Sequence, residues 1–107
     1  MDLTPMRRRH RRRNPDDPRD RIERLALSFP TLRWARGVAP FDPNELDAWA
    51  CGPASSGGFH AAAFILGVWN HYADWGCGKF DLFRAFDTWD REHREAFVAW
   101  AQDPWTA

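Results

Sequence analysis

The sequence predicts an all-α fold: a small single-domain bundle of four to five short helices around a central apolar helix at about 58–75, behind a disordered basic N-terminal tail. Apolar residues recur at the three- and four-residue spacing of a helix face. Cap and stop signals divide the chain into segments of helical length. No window alternates apolar and polar residues as a half-buried strand would, and the chain lacks Asn-Gly and Asp-Gly hairpin turns.

The N-terminal part separates into a tail and the first helix. Residues 1–15 are highly charged and almost without apolar side chains, so we expect them to be disordered and residues 16–107 to form the helical domain. An acid followed by Pro18 is typical of a helix start. The pattern predicts a helix over 17–28 that Pro30 ends, and then a loop over 29–41.

The second and third helices have clear start signals. Asp42 can cap a helix that has Pro43 in its first turn, which predicts a helix to about Cys51. A loop with a serine cap follows over 52–58, rich in Gly and Ser. It precedes a helix and could hold an anion, but it lacks the Gly-Lys ending of a phosphate loop, so we interpret it as a linker.

The central helix is predicted over 58–75 and is apolar around most of its circumference, which is typical of a buried helix. Its polar side chains fall within an arc of about 100°, with only Ala63 and Gly67 between them. We call this arc the polar stripe, and it is predicted to face either water or a site. The candidate residues on it are His60, Asn70, His71 and Asp74.

The last helical stretch runs from Phe80 to Gln102. Apolar and aromatic side chains step along it by three and four residues, as one helix face requires. Asp87 or Thr88 is able to cap a second segment, so we expect a break there. His93 lies in the middle of the aromatic face, and we interpret it as a core or interface histidine satisfied by a backbone group or a carboxylate.

Aromatic residues are unusually frequent, with seven Trp, eight Phe and one Tyr in 107 residues. Each buried aromatic removes about 150–250 Å² from water, so the chain can build a core without metal or disulfide. A surplus would lie at an interface. The candidates are the tryptophans predicted at loops or helix ends, Trp34, Trp75 and Trp105.

The net charge of zero conceals an uneven distribution of positive and negative charge along the chain. Residues 1–13 carry six arginines against one acid, whereas residues 37–107 carry four basic side chains against ten acids. A cationic tail on an anionic body is typical of a protein with a polyanionic partner such as nucleic acid. The alternatives are an acidic protein surface or anionic lipid as the partner, and a solubilising tail without a partner. The acidic helices argue against the body as a reader of DNA bases. The tail residues are Arg7, Arg8, Arg9, Arg11, Arg12 and Arg13.

Few residues point to catalysis or metal binding. His71 and Asp74 could pair one helical turn apart, and Cys77 lies close to them in sequence. Zinc would need a long-range cluster of Cys51, His71 and Cys77, because no tight Cys or His spacing is present. No catalytic residue, metal or cofactor is therefore assigned.

The sequence favours a non-enzymatic interaction module, a small regulator or accessory factor. Its body would bind a protein partner or itself, and its Arg-rich tail a polyanion. The alternatives are a metal-binding protein or enzyme centred on His71, Asp74 and Cys77, and a structural homo-oligomeric subunit. Cys51 and Cys77 could form one disulfide, but two lone thiols in a reducing compartment are the simpler interpretation. Together with the absence of an apolar run of about 20 residues, this fits a cytoplasmic protein without a transmembrane segment.

Overall fold

The computed structural model describes residues 17–107, which contain helices and no strand. The predicted all-α class is confirmed there, and the five α-helices agree with the predicted four to five. The predicted tail, including Arg7–Arg13, lies outside the described residues. The elements are α1 (Pro18–Leu27), a 3-10 helix (Pro30–Leu32), α2 (Pro43–Cys51), α3 (Ser56–Asn70), α4 (Leu82–Thr88) and α5 (Arg91–Ala101).

Local capping chemistry starts the first three α-helices. Asp17, Asp42 and Ser55 each have extended backbone and accept a hydrogen bond from a backbone N–H of the first turn. Pro18 and Pro43 occupy the first helical positions, where no N–H partner is required. The predicted helix starts at Asp42 and after Asp17 are confirmed, and the serine cap begins α3 slightly earlier than residue 58.

The predicted break in the last helical stretch is present, but its capping residue was wrong. Asp90, not Asp87 or Thr88, caps α5 by accepting from the His93 N–H at 3.0 Å. The chain leaves helical geometry at Trp89, which is 3% exposed. Its indole Nε1 donates to the Gly57 carbonyl at 3.1 Å. Burying this indole against the start of α3 is what sets the position of the break.

Helix α3 is the centre of the bundle, as predicted, but it ends at Asn70 and not near Trp75. Two later side chains donate to backbone carbonyls at its end. Trp75 Nε1 donates to the backbone carbonyl of Asn70 at 3.0 Å, and Lys79 Nζ donates to that of His71 at 2.6 Å. The chain therefore folds back at residue 71. Most of the helix is buried, including Ala61, Ala62, Ala63, Phe64, Ile65, Leu66 and Val68.

The core is built from aromatic rings that meet on α3. The Phe64 ring lies within 5.0–5.6 Å, centroid to centroid, of four other rings in tilted or edge-to-face geometry. Those rings belong to Phe29, Phe80, Phe97 and Trp100.

Among residues 17–107, no helix combines the length and apolar character that crossing a bilayer demands.

Candidate functional site

An apolar cleft of about 320 Å³ opens along one side of α3. Its floor includes Ala63 and Gly67, the two small residues that interrupt the polar stripe. A Cβ atom placed on Gly67 would meet no other heavy atom within 4 Å, apart from the neighbouring backbone of its own helix. The cleft is therefore open at Gly67, and a small side chain there would extend into it.

The walls of the cleft come from later parts of the chain. The segment 71–81 supplies Trp75, Gly78 and Phe80, and α5 supplies Trp100. The polar residues on the lining are His71, Lys79 and Thr106, and no acid is among them. This composition contrasts with residues 17–107 as a whole, which carry nine basic and thirteen acidic side chains.

The early end of α3 disperses the predicted polar stripe. Asn70 accepts from the Tyr72 N–H at 3.0 Å, and His71 lines the cleft with its ring 4.2 Å from that of Tyr72. Asp74 lies beyond the helix, exposed, and the structure has no hydrogen bond or ion pair between it and His71. The possible His71–Asp74 pair required helical geometry at both positions, and α3 ends at Asn70 before either of them.

His60, the remaining stripe residue, is separate from the cleft. It is half-buried in the first half of α3, and burial lowers its pKa. The charge of Asp81 acts against this shift and raises the pKa, whereas the charge of Arg84 lowers it. Both charges lie at the start of α4, so the imidazole is near that helix end. His60 and His71 therefore occupy different environments and do not form one site.

The three tryptophans predicted at an interface differ in exposure. Trp34 is 92% exposed, whereas Trp75 lines the cleft and Trp105 is half-buried. The Trp105 ring lies 4.0 Å from the Arg21 guanidinium carbon in a cation–π contact. Sequence reasoning missed two other exposed aromatics, Tyr72 at 85% and Phe83 at 82%. Tyr72 continues the apolar spacing of the predicted central helix, and the sequence pattern assigns no position to Phe83.

Asp47 on α2 binds the backbone of the 71–81 segment. Its carboxylate accepts from the Gly76 N–H at 2.8 Å and from the Cys77 N–H at 2.9 Å. Partial burial raises the pKa of Asp47, but these hydrogen bonds outweigh it and the net shift is downward. No local pattern marks this residue, since its partners lie about 30 positions away.

Cys51 and Cys77 both approach the Asp47 carboxylate. The Cys51 Sγ lies 4.0 Å from Asp47 Oδ1, the oxygen that also accepts from the Cys77 N–H, whereas the Cys77 Sγ lies 3.9 Å from the Gly78 carbonyl oxygen. Both thiols are free, with Cys51 exposed and Cys77 buried. Burial, together with the nearby Asp47 carboxylate, raises the pKa of Cys77 to about 12. His71 is not part of this cluster, and residues 17–107 hold no group of three or more His, Cys, Asp or Glu side chains arranged for a metal ion.

His93 is 4% exposed and links two elements. This agrees with the interpretation of His93 as a core histidine with hydrogen-bond partners. Its Nδ1 lies 2.7 Å from Asp90 Oδ1, and its Nε2 lies 2.8 Å from Thr31 Oγ1. The order acid, imidazole, hydroxyl resembles a hydrolase triad. The cleft lining, however, includes none of these three residues, and the imidazole packs against Phe29 and Trp89. We interpret the group as a tie between α5 and the 3-10 helix.

The chain matches no protein-family model, no curated protein and no solved structure.

Proposed function

We propose that this protein is a non-enzymatic interaction module of the cytoplasm. Its helical body binds an apolar side chain of a protein partner in the cleft on α3, and its Arg-rich segment, Arg7–Arg13, engages nucleic acid or another polyanion. The observation that carries the first half is the open apolar cleft at Gly67, bordered by exposed Tyr72.

The size and lining of the cleft suit a bulky apolar group. Ligand sites usually have volumes of about 300–1,000 Å³, with mostly apolar walls and few polar groups, and this cleft of about 320 Å³ is at the small end. Such a volume favours a single anchoring side chain over a large cofactor. Interfaces are commonly dominated by a few aromatic or apolar anchors in pockets.

Exposed aromatic surface continues from the cleft. His71 and Thr106 line both the cleft and an adjoining shallow depression that includes Tyr72. Single exposed apolar residues are common on soluble proteins and need no explanation. An exposed tyrosine beside an open apolar cleft is more informative, because Tyr offers a large rigid contact area and a polar tip at an interface.

A display experiment tests the binding half of the proposal. Random peptides are selected on the full chain, and the dissociation constants of the enriched peptides are measured on Gly67→Leu, which extends a side chain into the cleft. Val98→Leu is the matched control, because Val98 is 45% exposed on α5 and does not line the cleft.

We expect the enriched peptides to share an aromatic or large aliphatic residue. Gly67→Leu should weaken their binding at least tenfold and Val98→Leu should leave it unchanged. Equal affinity for both variants, or no enrichment, would refute the proposed cleft function. A second copy of the chain as the occupant would instead give a concentration-dependent dimer in light scattering that Gly67→Leu dissociates.

The polyanion half rests on charge alone, and replacing the six arginines of Arg7–Arg13 with Gln tests it. Neutralised phosphates release counterions, so the binding constant falls as the salt concentration rises. For six contacts on duplex DNA, a plot of the logarithm of the binding constant against the logarithm of the salt concentration has a negative slope of at most about 5 in magnitude. We expect the substitution to abolish salt-dependent retention of mixed RNA and DNA without changing the melting temperature. Unchanged retention would remove this half and leave the cleft proposal standing.

A further inference from the structure

The two cysteines contact one carboxylate although 26 positions separate them in sequence: the Cys51 Sγ lies 4.0 Å from Asp47 Oδ1, and the Cys77 N–H donates to the same oxygen. Cys51 is the last residue of α2, and its Sγ would lie 3.2 Å from a Cβ placed on Gly76, the residue directly before Cys77. The Asp47 carboxylate holds the backbone of Gly76 and Cys77 in this position. The Cys51 sulfur therefore lies beside the short backbone stretch that carries Cys77, close enough for its charge to act on the Cys77 pKa.

We propose that Cys51 and Cys77 form an oxidisable thiol pair, a modification site at which a hydroperoxide converts two thiols into an intramolecular disulfide. This inference is independent of the proposed binding function, because it rests only on the arrangement around Asp47.

The two thiols have different environments and therefore different roles. Cys51 is exposed and accessible to a small oxidant, whereas Cys77 is only 8% exposed. The pKa of Cys77, raised to about 12 by burial and by Asp47, keeps that thiol protonated at neutral pH. Because the thiolate is the reactive form, the first oxidation occurs at Cys51, and Cys77 is the resolving thiol.

The reaction proceeds in two balanced steps. In the first, Cys51 sulfur attacks the hydroperoxide, the O–O bond breaks, and the products are a sulfenic acid on Cys51 and an alcohol, or water from hydrogen peroxide. In the second, Cys77 sulfur attacks Cys51 sulfur, an S–S bond forms and the S–O bond breaks. The Cys77 proton is released as its sulfur attacks, and it leaves with the hydroxyl group as water.

Intact-mass and peptide analysis of the full chain tests this pair. The reduced protein is treated with equimolar hydrogen peroxide in the presence of dimedone, which traps sulfenic acid, and is then alkylated. For the wild type we expect loss of two hydrogen masses, a linked peptide containing Cys51 and Cys77, and full reversal by dithiothreitol. Cys77→Ser should instead accumulate the dimedone adduct on Cys51, and Cys51→Ser should form neither product.

Two results would overturn the inference. One is a wild type that accumulates the Cys51 dimedone adduct as fast and as fully as Cys77→Ser, since Cys77 would then not resolve the sulfenic acid. The other is disulfide formation only between two chains through Cys51. Circular dichroism of the two Cys→Ser variants ensures that a missing disulfide is not the result of an unfolded chain.

Discussion

Replacing Gly67 with alanine should stabilise the fold while it partly fills the cleft. Glycine inside a helix costs about 0.5–1 kcal/mol relative to alanine. Gly67 lies in the last part of α3, and the new Cβ would meet no other heavy atom within 4 Å, apart from the neighbouring backbone of its own helix. No steric cost therefore opposes the gain in helix propensity, and we expect a rise in unfolding free energy of about 0.5–1 kcal/mol.

The chain offers a matched control for this substitution. Gly78 also has no heavy atom within 4 Å of a placed Cβ, but its φ is +81°. Alanine at Gly78 should lower the unfolding free energy by about 1–2 kcal/mol, because an L side chain is disfavoured in the left-handed region. The two variants differ in backbone conformation and not in available space, so their opposite signs isolate the conformational contribution.

Thermal unfolding followed by circular dichroism and calorimetry measures both variants. For a domain of this size, 1 kcal/mol corresponds to about 4–8 °C in Tm. We therefore expect Gly67→Ala to raise Tm by about 2–8 °C and Gly78→Ala to lower it by at least about 4 °C. A lower Tm for Gly67→Ala would refute the reasoning, because it would mean that Gly67 is not an open helical position.

Three further predictions concern the polar contacts that hold the bundle. His93→Phe should lower the unfolding free energy by about 1–2 kcal/mol, since the Thr31 and Asp90 side chains each lose a partner; Thr31→Val in the same chain should restore part of this loss, and strict additivity in urea unfolding would disprove the Thr31–His93 bond. Asp47→Asn should cost about 1 kcal/mol and increase hydrogen exchange at Cys77, and unchanged exchange there would count against the loop anchor. Hydrogen bonds from His93 lower the pKa of Asp90 below the usual 3.8. The stabilising contribution of the Asp90 carboxylate is therefore present above about pH 3.8 and is lost as pH falls through the lower folded-state pKa. The difference in unfolding free energy between wild type and Asp90→Asn should shrink below that pH, and a difference that grows in acid would contradict the assignment.

Helix starts were predictable because their signals are local. Asp42 with Pro43 and Ser55 before α3 act within one turn, and both capping contacts are present in the structure. The end of α3 was not predictable in the same way. Tyr72 and Trp75 continue the apolar spacing of the helix, yet the Trp75 indole instead donates to Asn70 and satisfies the helix end. A periodic pattern cannot distinguish a longer helix from a chain that folds back on it.

The candidate site was partly visible in the sequence. The polar stripe, with Ala63 and Gly67 inside it, marked the side of α3 on which the cleft lies. Whether that side faces solvent or a cavity depends on Phe80 and Trp100, which reach it from distant positions. The Asp47–Cys77 contact has the same origin. Long-range packing decides such sites, and one sequence without its tertiary contacts does not specify them.

The aromatic content of the chain and its cleft have a common physical cause. At the start of α3, the lack of a side chain on Gly58 lets the Trp49 ring approach, since a Cβ placed there would lie 2.8 Å from it. Further along the helix, the Phe64 ring meets four other rings. Close packing is maintained where a ring covers a small residue. At Gly67 no ring does so, and the helix bears the cost of a glycine without gaining a contact. A position that lowers helix stability and leaves a cavity open is what a binding cleft requires, because an incoming side chain then supplies the missing contacts.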